Sequence, residues 1–419
     1  MSVLTVKNVT HGFGSRSILE NVSFRLLKGE HVALVGANGE GKSTFLNIIT
    51  SKLMPDEGTV EWSNRVTVGY LDQHSALTPG TTIRDNLRLA FDNLFTLEQE
   101  MLGHYEKMSD CSDEEMAKLM EDAAEIQNIL DTSGFYIIDS KIDEVASGLG
   151  LGEIGLDKKV DELSGGQRTK VLLTKLLLQN PTILILDEPT NYLDVNHIEW
   201  LKRYLQNYDN AFILVSHDIP FLNDVCNLIY HVEDCELTRY VGNYDEFLRL
   251  YELKNRQQEK AYERQQKEID KLEDFIARNK ARVATTGMAK SRMKQLDKME
   301  MIEKPKEKIK PTFNFKFSKA PSRFLIEARD LVIGYDEPLT KPLNFNIERG
   351  KKIAICGVNG LGKSTLLKTL LGILKPISGE VEFGENVKYG YFEQEDSRDN
   401  KKTALEEIWD LYPSMTNHE

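Results

Sequence analysis

Apolar positions recur with two different periods along this chain, and the change of period divides it into parts. Between residues 3 and 27, Leu4, Val6 and Val9, then Val22, Phe24 and Leu26, alternate with polar neighbours, which predicts short strands with one buried face. Four runs, 31–35, 183–186, 211–215 and 353–356, are almost wholly apolar and suit strands covered on both sides of a parallel sheet. Helical spacing follows two of them, in 45–49 and 366–370, and precedes a third, in 170–179. From Ile83 to Gly150 the chain turns helical and acidic, with Leu94, Leu97, Met101 and Tyr105 on one face and Met116, Leu119, Met120, Ala123, Ile126 and Ile129 on another. Two packed helices are expected there as an insertion.

A third pattern begins at Tyr244. Tyr244, Phe247, Leu248 and Tyr251 predict a helix start that docks on the preceding domain, and Tyr262, Ile269, Leu272 and Ile276 extend it at spacings of 7, 3 and 4. After a break at Thr285-Thr286-Gly287 comes a second helix carrying Met293, Leu296 and Met299. Two helices sharing so thin an apolar seam predict a hairpin.

The chain also repeats itself. Gly58 to Gln73 aligns without a gap to Gly379 to Gln394, 321 residues later, and the same offset relates Gly36-Ala37-Asn38-Gly39-Glu40-Gly41-Lys42-Ser43-Thr44 to Gly357-Val358-Asn359-Gly360-Leu361-Gly362-Lys363-Ser364-Thr365. A whole domain is duplicated. The expected organisation is a first domain over 1–240 with its insertion at 83–150, a charged hairpin linker over 241–321, and the N-terminal part of a second domain over 322–419.

Both nine-residue stretches are G-x-x-x-x-G-K-S sequences between an apolar run and a helical one, the context of a phosphate-binding loop. Gly36, Asn38, Gly39 and Gly41, and in the second copy Gly357, Asn359, Gly360 and Gly362, let successive N–H groups turn inward at a helix N-terminus. Lys42 and Lys363 would reach the β/γ-phosphates, Ser43 and Ser364 would ligate Mg²⁺, and Thr44 and Thr365 complete the turn. Gln73 and Gln394 end strands beside these loops, where an amide can bind Mg²⁺ or orient the attacking water. The strand Ile183-Leu184-Ile185-Leu186 delivers Asp187 and Glu188 at its C-terminal edge. Adjacent strand residues point oppositely, so the two acids are assigned different work: Asp187 to the metal, Glu188 to the attacking water as general base. His217, after the run 211–215, is expected to contact the γ-phosphate. Phe13 lies 23 residues before Gly36 and Tyr335 lies 22 before Gly357, so each copy offers an aromatic face on which a base can stack.

Composition adds limits. Four cysteines, Cys111, Cys226, Cys235 and Cys356, show no metal-ligand spacing and fit a reducing compartment. No stretch approaches a membrane span, and the N-terminus lacks a signal-peptide layout, so a cytoplasmic location without membrane insertion is expected. The net charge of −13 alone speaks against nucleic acid. Its distribution reverses that inference. Residues 278–294 hold Arg278, Lys280, Arg282, Lys290, Arg292 and Lys294 and no acid, a local +6 that leaves −19 for the rest. Screening confines exposed charge to about 8 Å at physiological salt, so a polyanion at this tip meets only the cations. RNA phosphate is the expected partner.

The ordered set GANGEGKST, Gln73, LSGGQ (163–167), ILILDEP, the NYLD turn and Ser216-His217-Asp218 resembles an ATP-binding cassette nucleotide-binding domain, and LSGGQ is highly specific to that superfamily. Two cassettes joined by a charged helical linker resemble the ABC-F proteins, which act on ribosomes; Tyr192 stands where the family more often has His. The resemblance implies an α/β P-loop NTPase fold, ATP and Mg²⁺ as cofactors, and a role for Ser164 and Gly166 against the nucleotide of a facing cassette. It further implies a linker that approaches ribosomal RNA and tRNA. Protection of ribosomes against antibiotics is the alternative within the family; a soluble ATPase subunit of a transporter leaves the basic hairpin unexplained. By the 321 offset, a second signature would fall near position 484 and a second Asp-Glu pair near 508, beyond the 419 residues. The sequence is therefore expected to be a fragment that binds nucleotide, hydrolyses it poorly as a monomer, and can form a homodimer through its first cassette.

Overall fold

The structure is a computed structural model that describes residues 2–64, 66–71, 77–108, 112–279, 286–302, 321–335, 337–357, 361–392 and 402–413. By packing, the chain divides into two units, Met1–Lys310 and Pro311–Glu419.

The first unit opens with β1 (Ser2–Phe13) and β2 (Arg16–Leu27), followed by β3 (His31–Val35), α1 (Lys42–Ile49), β4 (Glu57–Trp62) and β5 (Val68–Tyr70). Next comes a helical block, α2 (Ile83–Arg88), α3 (Asp92–Lys107), α4 (Asp113–Ser133) and α5 (Ile138–Gly148). The core resumes with α6 (Gly165–Gln179), β6 (Ile183–Asp187), α7 (Val195–Gln206), β7 (Ala211–Val215), α8 (Ile219–Val225), β8 (Leu228–Glu233) and β9 (Glu236–Val241). The hairpin is α9 (Tyr244–Asn279) and α10 (Thr286–Asp297).

Six strands form a sheet in the order β5-β6-β7-β3-β8-β9, parallel except at β9. Its central strands are apolar on both faces because both are covered. Ile183, Ile185, Ile213 and Leu34 pack into one core with Phe45, Leu46 and the antiparallel sheet β2-β1-β4. Leu184, Leu186, Phe212 and Val35 pack into a second core with the helices. Period-two alternation within four or five residues thus serves two cores at once.

The expected short strands of 3–27 are two strands of 12 residues each. Their alternation slips between Val6 and Val9 because Asn8 adopts φ 49° in a bulge. Among the described residues the insertion has four α-helices rather than two. On α4 the buried stripe runs through Ala123, Ile126 and Leu130, whereas Met120 and Ile129, assigned to it by sequence, are exposed. Ile269 and Leu272 are buried in the hairpin seam as expected, and Gln265 on α9 binds the return segment, donating to the Glu300 carbonyl at 2.6 Å and accepting the Ile302 N–H at 2.8 Å. Thr286 and Gly287 belong to α10, so only residue 285 of the expected break lies outside it, and outside the described residues. Met293 is exposed.

The root of the hairpin is anchored on β8. Phe247 is buried, with the rings of His231, Tyr240, Tyr244 and Tyr251 at 5.1–5.8 Å. The Tyr251 hydroxyl reaches both carboxylate oxygens of Glu233 at 2.7 and 2.9 Å. Val232, between His231 and Glu233, turns to the opposite core and backs the first glycine of the loop after β3.

The second unit comprises β10 (Phe324–Val332), β11 (Leu343–Glu348), α11 (Lys363–Leu370), β12 (Ser378–Phe383) and α12 (Ala404–Leu411). The antiparallel sheet β2-β1-β4 is reproduced as β11-β10-β12, down to its irregularities. Ala328 pairs with Val381 as Val6 pairs with Val60, and Asp330 bulges at φ 44° as Asn8 does. The run 353–356, expected as a strand, is not one, and Ile353 and Ile355 are exposed. In the first unit the equivalent strand is hydrogen-bonded between β7 and β8; the described residues of the second unit supply no counterpart of either. No described helix is long and apolar enough to cross a membrane.

Candidate nucleotide-binding site

The site of the first unit forms where β3, β6 and β7 end on the same edge of the parallel sheet. Beyond β3 the chain enters its glycine loop. A Cβ on Gly36 would stand 2.5 Å from the Val232 carbonyl oxygen, so only glycine lets the loop start this close to β8. Gly39 and Gly41 adopt φ 84° and 105°. Gly41 is also the N-cap of α1 and offers no side chain to it, so the first N–H groups of that helix remain open to an anion. Lys42 curls back over the loop, donating to the carbonyls of Gly36 at 2.9 Å and Ala37 at 3.1 Å. The loop closes on a cavity of about 370 Å³. Asn38, Gly39, Gly41, Lys42, Ser43 and Thr44 line one wall; Asp187, Glu188 and His217 line another.

Asp187 is the last residue of β6, and Glu188 leaves the strand at φ 49°. That turn corrects the expectation that the two carboxylates point apart: alternation stops with the strand, and both acids line the same cavity. Burial raises the pKa of each. For Asp187, the charges of Lys42 and His217 oppose the rise. For Glu188, the His217 charge and its backbone N–H oppose it, that N–H donating to Oε2 at 3.3 Å. Oε1 is buried without a hydrogen-bond partner, the exposed imidazole of His217 standing 3.5 Å away. Glu188 therefore keeps one oxygen unsatisfied at the cavity wall.

Substituting Gly41 is expected to damage binding more than folding. An Ala Cβ would meet the Ile18 Cγ2 at 2.6 Å, and φ 105° carries about 1–2 kcal/mol of strain for a side-chain-bearing residue. Gly41→Ala should weaken ATP by about tenfold in an equilibrium titration, the equivalent of about 1.4 kcal/mol.

The ABC transporter family model matches residues 19–191 and 340–419, and an extension model of the same description matches 230–315. The chain is 61% identical over 419 residues to the ABC transporter ATP-binding protein YfmM of Bacillus subtilis, aligning all of itself with 81% of that protein. It is 35% identical over 417 residues to ABC transporter F family member 2 of Arabidopsis thaliana, with 97% of the chain and 61% of the relative aligned. The chain belongs to the ABC-F family. It spans 66% and 61% of two of its relatives, the ATP-binding protein YdiF of Bacillus subtilis and the Arabidopsis protein.

The first cassette of this ABC-F chain is a P-loop ATPase domain, and its residues fit ATP and Mg²⁺. Ser43 and Asp187 bring a hydroxyl and a carboxylate, the hard oxygen donors this metal prefers, and Mg²⁺ usually takes one or two protein ligands and completes its shell with phosphates and water. No group of three or more His, Cys, Asp or Glu that could hold a metal ion by itself occurs among the described residues. Gln73, proposed for the metal and the attacking water, lies outside the described residues.

The signature is built as a capped helix end. Ser164 and Gln167 cap each other across the first turn of α6, with contacts of 3.0 and 3.4 Å. Ser164 and Gly166 are not among the residues lining the first cavity. Gly166 packs closely: a Cβ there would lie 3.1 Å from Tyr192 Cδ1, in the NYLD turn, and would need that ring to shift by a few tenths of an ångström. Phe13 is 56% exposed at the end of β1, and Arg16 across the turn donates to the Gly39 carbonyl at 3.3 Å, which ties the aromatic hairpin to the phosphate loop. Arg16 and Ile18 escaped the sequence reading, since neither residue type signals a ligand; Val215 escaped it as the last residue of a core strand.

In the second cassette, Gly362 at φ 84° caps α11 and Lys363 donates to the Gly357 carbonyl at 2.9 Å, as in the first. Ser364 and the buried Thr365 follow on α11, and Tyr335 is exposed. Asn359, Gly360 and Gln394 lie outside the described residues, as do Lys280 and Arg282 of the basic group. Of that group, Lys290, Arg292 and Lys294 are exposed on α10, and Arg278 pairs with Asp274 at 3.3 Å on its own helix.

Proposed function

We propose that this chain is an ATP-driven translation factor of the cytoplasm, in which the hairpin α9–α10 touches ribosomal RNA or tRNA and the cassette times that contact by binding and hydrolysing ATP. The observation that carries the reading is the one-signed tip: a chain of net charge −13 keeps residues 278–294 free of acid and exposes Lys290, Arg292 and Lys294 there. Membership of the ABC-F family supports it.

In the cassette, the N–H groups at the start of α1 and Lys42 would hold the phosphates, and Ser43 and Asp187 would hold Mg²⁺. The bound metal would neutralise charge developing on the transferred phosphoryl oxygens. Glu188, with Oε2 fixed by the His217 N–H and Oε1 unsatisfied, would accept a proton from the attacking water. Its burial makes the carboxylate a stronger base than an exposed one. His217, exposed at the cavity rim, would face the γ-phosphate.

Sedimentation of the Glu188→Gln chain with ribosomes tests the reading. ATP-dependent co-sedimentation is expected. Absence of association at every salt concentration, with ATP still bound, overturns it.

A further inference from the structure

The two cassettes differ at the seam beneath their aromatic residues. The Asp56 N–H donates to the Thr10 carbonyl at 2.9 Å, and in the second copy the Ile377 N–H donates to the Val332 carbonyl at 2.9 Å. Asp56 therefore corresponds to Ile377, and His11 to Ile333. In the first copy the Asp56 Oδ2 accepts the Gly12 N–H at 2.9 Å and stands 3.4 Å from the His11 Nδ1. His11 is 6% exposed, makes no hydrogen bond through either ring nitrogen, and meets Phe13 edge to face with ring centroids 5.0 Å apart. In the second copy the pair is apolar, with Ile333 1% and Ile377 42% exposed. Packing alone does not call for a histidine here, because isoleucine fills the equivalent place; a buried imidazole without a hydrogen bond is the less stable choice.

We propose that Asp56 and His11 are positioning residues for the first nucleotide site. Asp56 pins the strand end through the Gly12 amide, and His11 buttresses the ring of Phe13 at a right angle to it, so that the ring meets the base in a fixed plane. Among the described residues the second site has no such polar lock: Ile333 and Ile377 stand where His11 and Asp56 do, and Tyr335 is exposed. The two sites then differ in how strongly they use the base, the first more than the second. This rests on the reading of Phe13 as the base platform.

The test compares ATP with inorganic tripolyphosphate, which lacks the base, as competitors for a fluorescent nucleotide on chains carrying Lys363→Ala, so that the first site alone reports. Asp56→Ile is expected to weaken ATP about 5- to 10-fold, a fraction of the worth of a stacked base, and to leave tripolyphosphate unchanged. Asp56→Asn keeps an oxygen for the Gly12 amide and should restore most of the loss. The double variant His11→Ile with Asp56→Ile transplants the second copy's pair, so it should fold yet keep the weakened ATP binding. Equal weakening of both ligands, or a double variant that binds ATP like the parent, overturns the positioning role. Phe13→Ala separates the two readings. If it leaves the ratio of the two affinities unmoved, the platform itself falls; if it moves the ratio and Asp56→Ile does not, only the role of the pair falls.

Discussion

Replacing Glu188 by Gln is expected to slow γ-phosphate release from bound ATP by about 10²- to 10⁴-fold, the usual range for a positioned general base, with ATP affinity nearly unchanged. The amide preserves the shape of the side chain and can still accept the His217 N–H, but it cannot take a proton from water. Single-turnover measurement with protein in excess reads the step directly and is insensitive to slow product release. A loss below about fivefold would remove Glu188 from the base role and leave Gln73 or His217 to be tested in its place. Stability should move the other way. Burial raises the Glu188 pKa in the folded chain, so the fold favours the protonated form. The stabilisation linked to that proton is complete below the ordinary carboxylate range and is lost as pH rises through the raised value. Above the raised value the parent holds a buried charge that Glu188→Gln lacks, and the variant should unfold at a higher temperature there, with the gap closing in acid. The proposed base role calls for a carboxylate that is ionised and poorly solvated, a state that disfavours the fold.

The same residue marks how far the sequence could be read. The strand that ends in Asp187 was legible because four large apolar residues can lie only between two cores, and the cores are there. That the next residue turns to φ 49° and joins Asp187 in one cavity was not, since nothing in a glutamate announces a left-handed backbone. The glycines of the phosphate loop were legible because their spacing encodes a backbone path. Arg16 and Ile18 were not, because they reach the loop through a hairpin whose docking is set by tertiary packing. Residues 353–356 show the converse. Their pattern matches that of β3, but a central strand is made by its neighbours as much as by its own residues, and the described residues of the second unit offer no counterpart of β7 or β8. Local pattern states what a segment can become; pairing decides whether it does.

Reversing Lys290, Arg292 and Lys294 to Glu is expected to weaken ribosome association by about 100-fold or more near 0.1 M salt, with no change in ATP affinity. Three reversals bring residues 278–294 from +6 to zero. Every phosphate that a cation no longer neutralises takes about 0.7–0.9 off the slope of log affinity against log salt, so three of them lower it by about 2 to 3. The slope is the decisive quantity. A variant that merely misfolds binds weakly at every salt concentration, whereas one deprived only of its phosphate-neutralising cations converges with the parent as salt rises. The cations are available for the purpose. Lys290 and Lys294 pair with no carboxylate among the described residues, and the exposed Arg278–Asp274 pair at 3.3 Å contributes only about 0–1 kcal/mol, little enough for the guanidinium to exchange a carboxylate for a phosphate. An unchanged slope would mean that the tip points away from RNA, and the hairpin would then need a protein partner to account for it. A reduced slope with retained ATP affinity would separate the two halves of the chain's work, a cassette that binds nucleotide through neutral amides and one lysine, and a hairpin that binds phosphate through exposed charge.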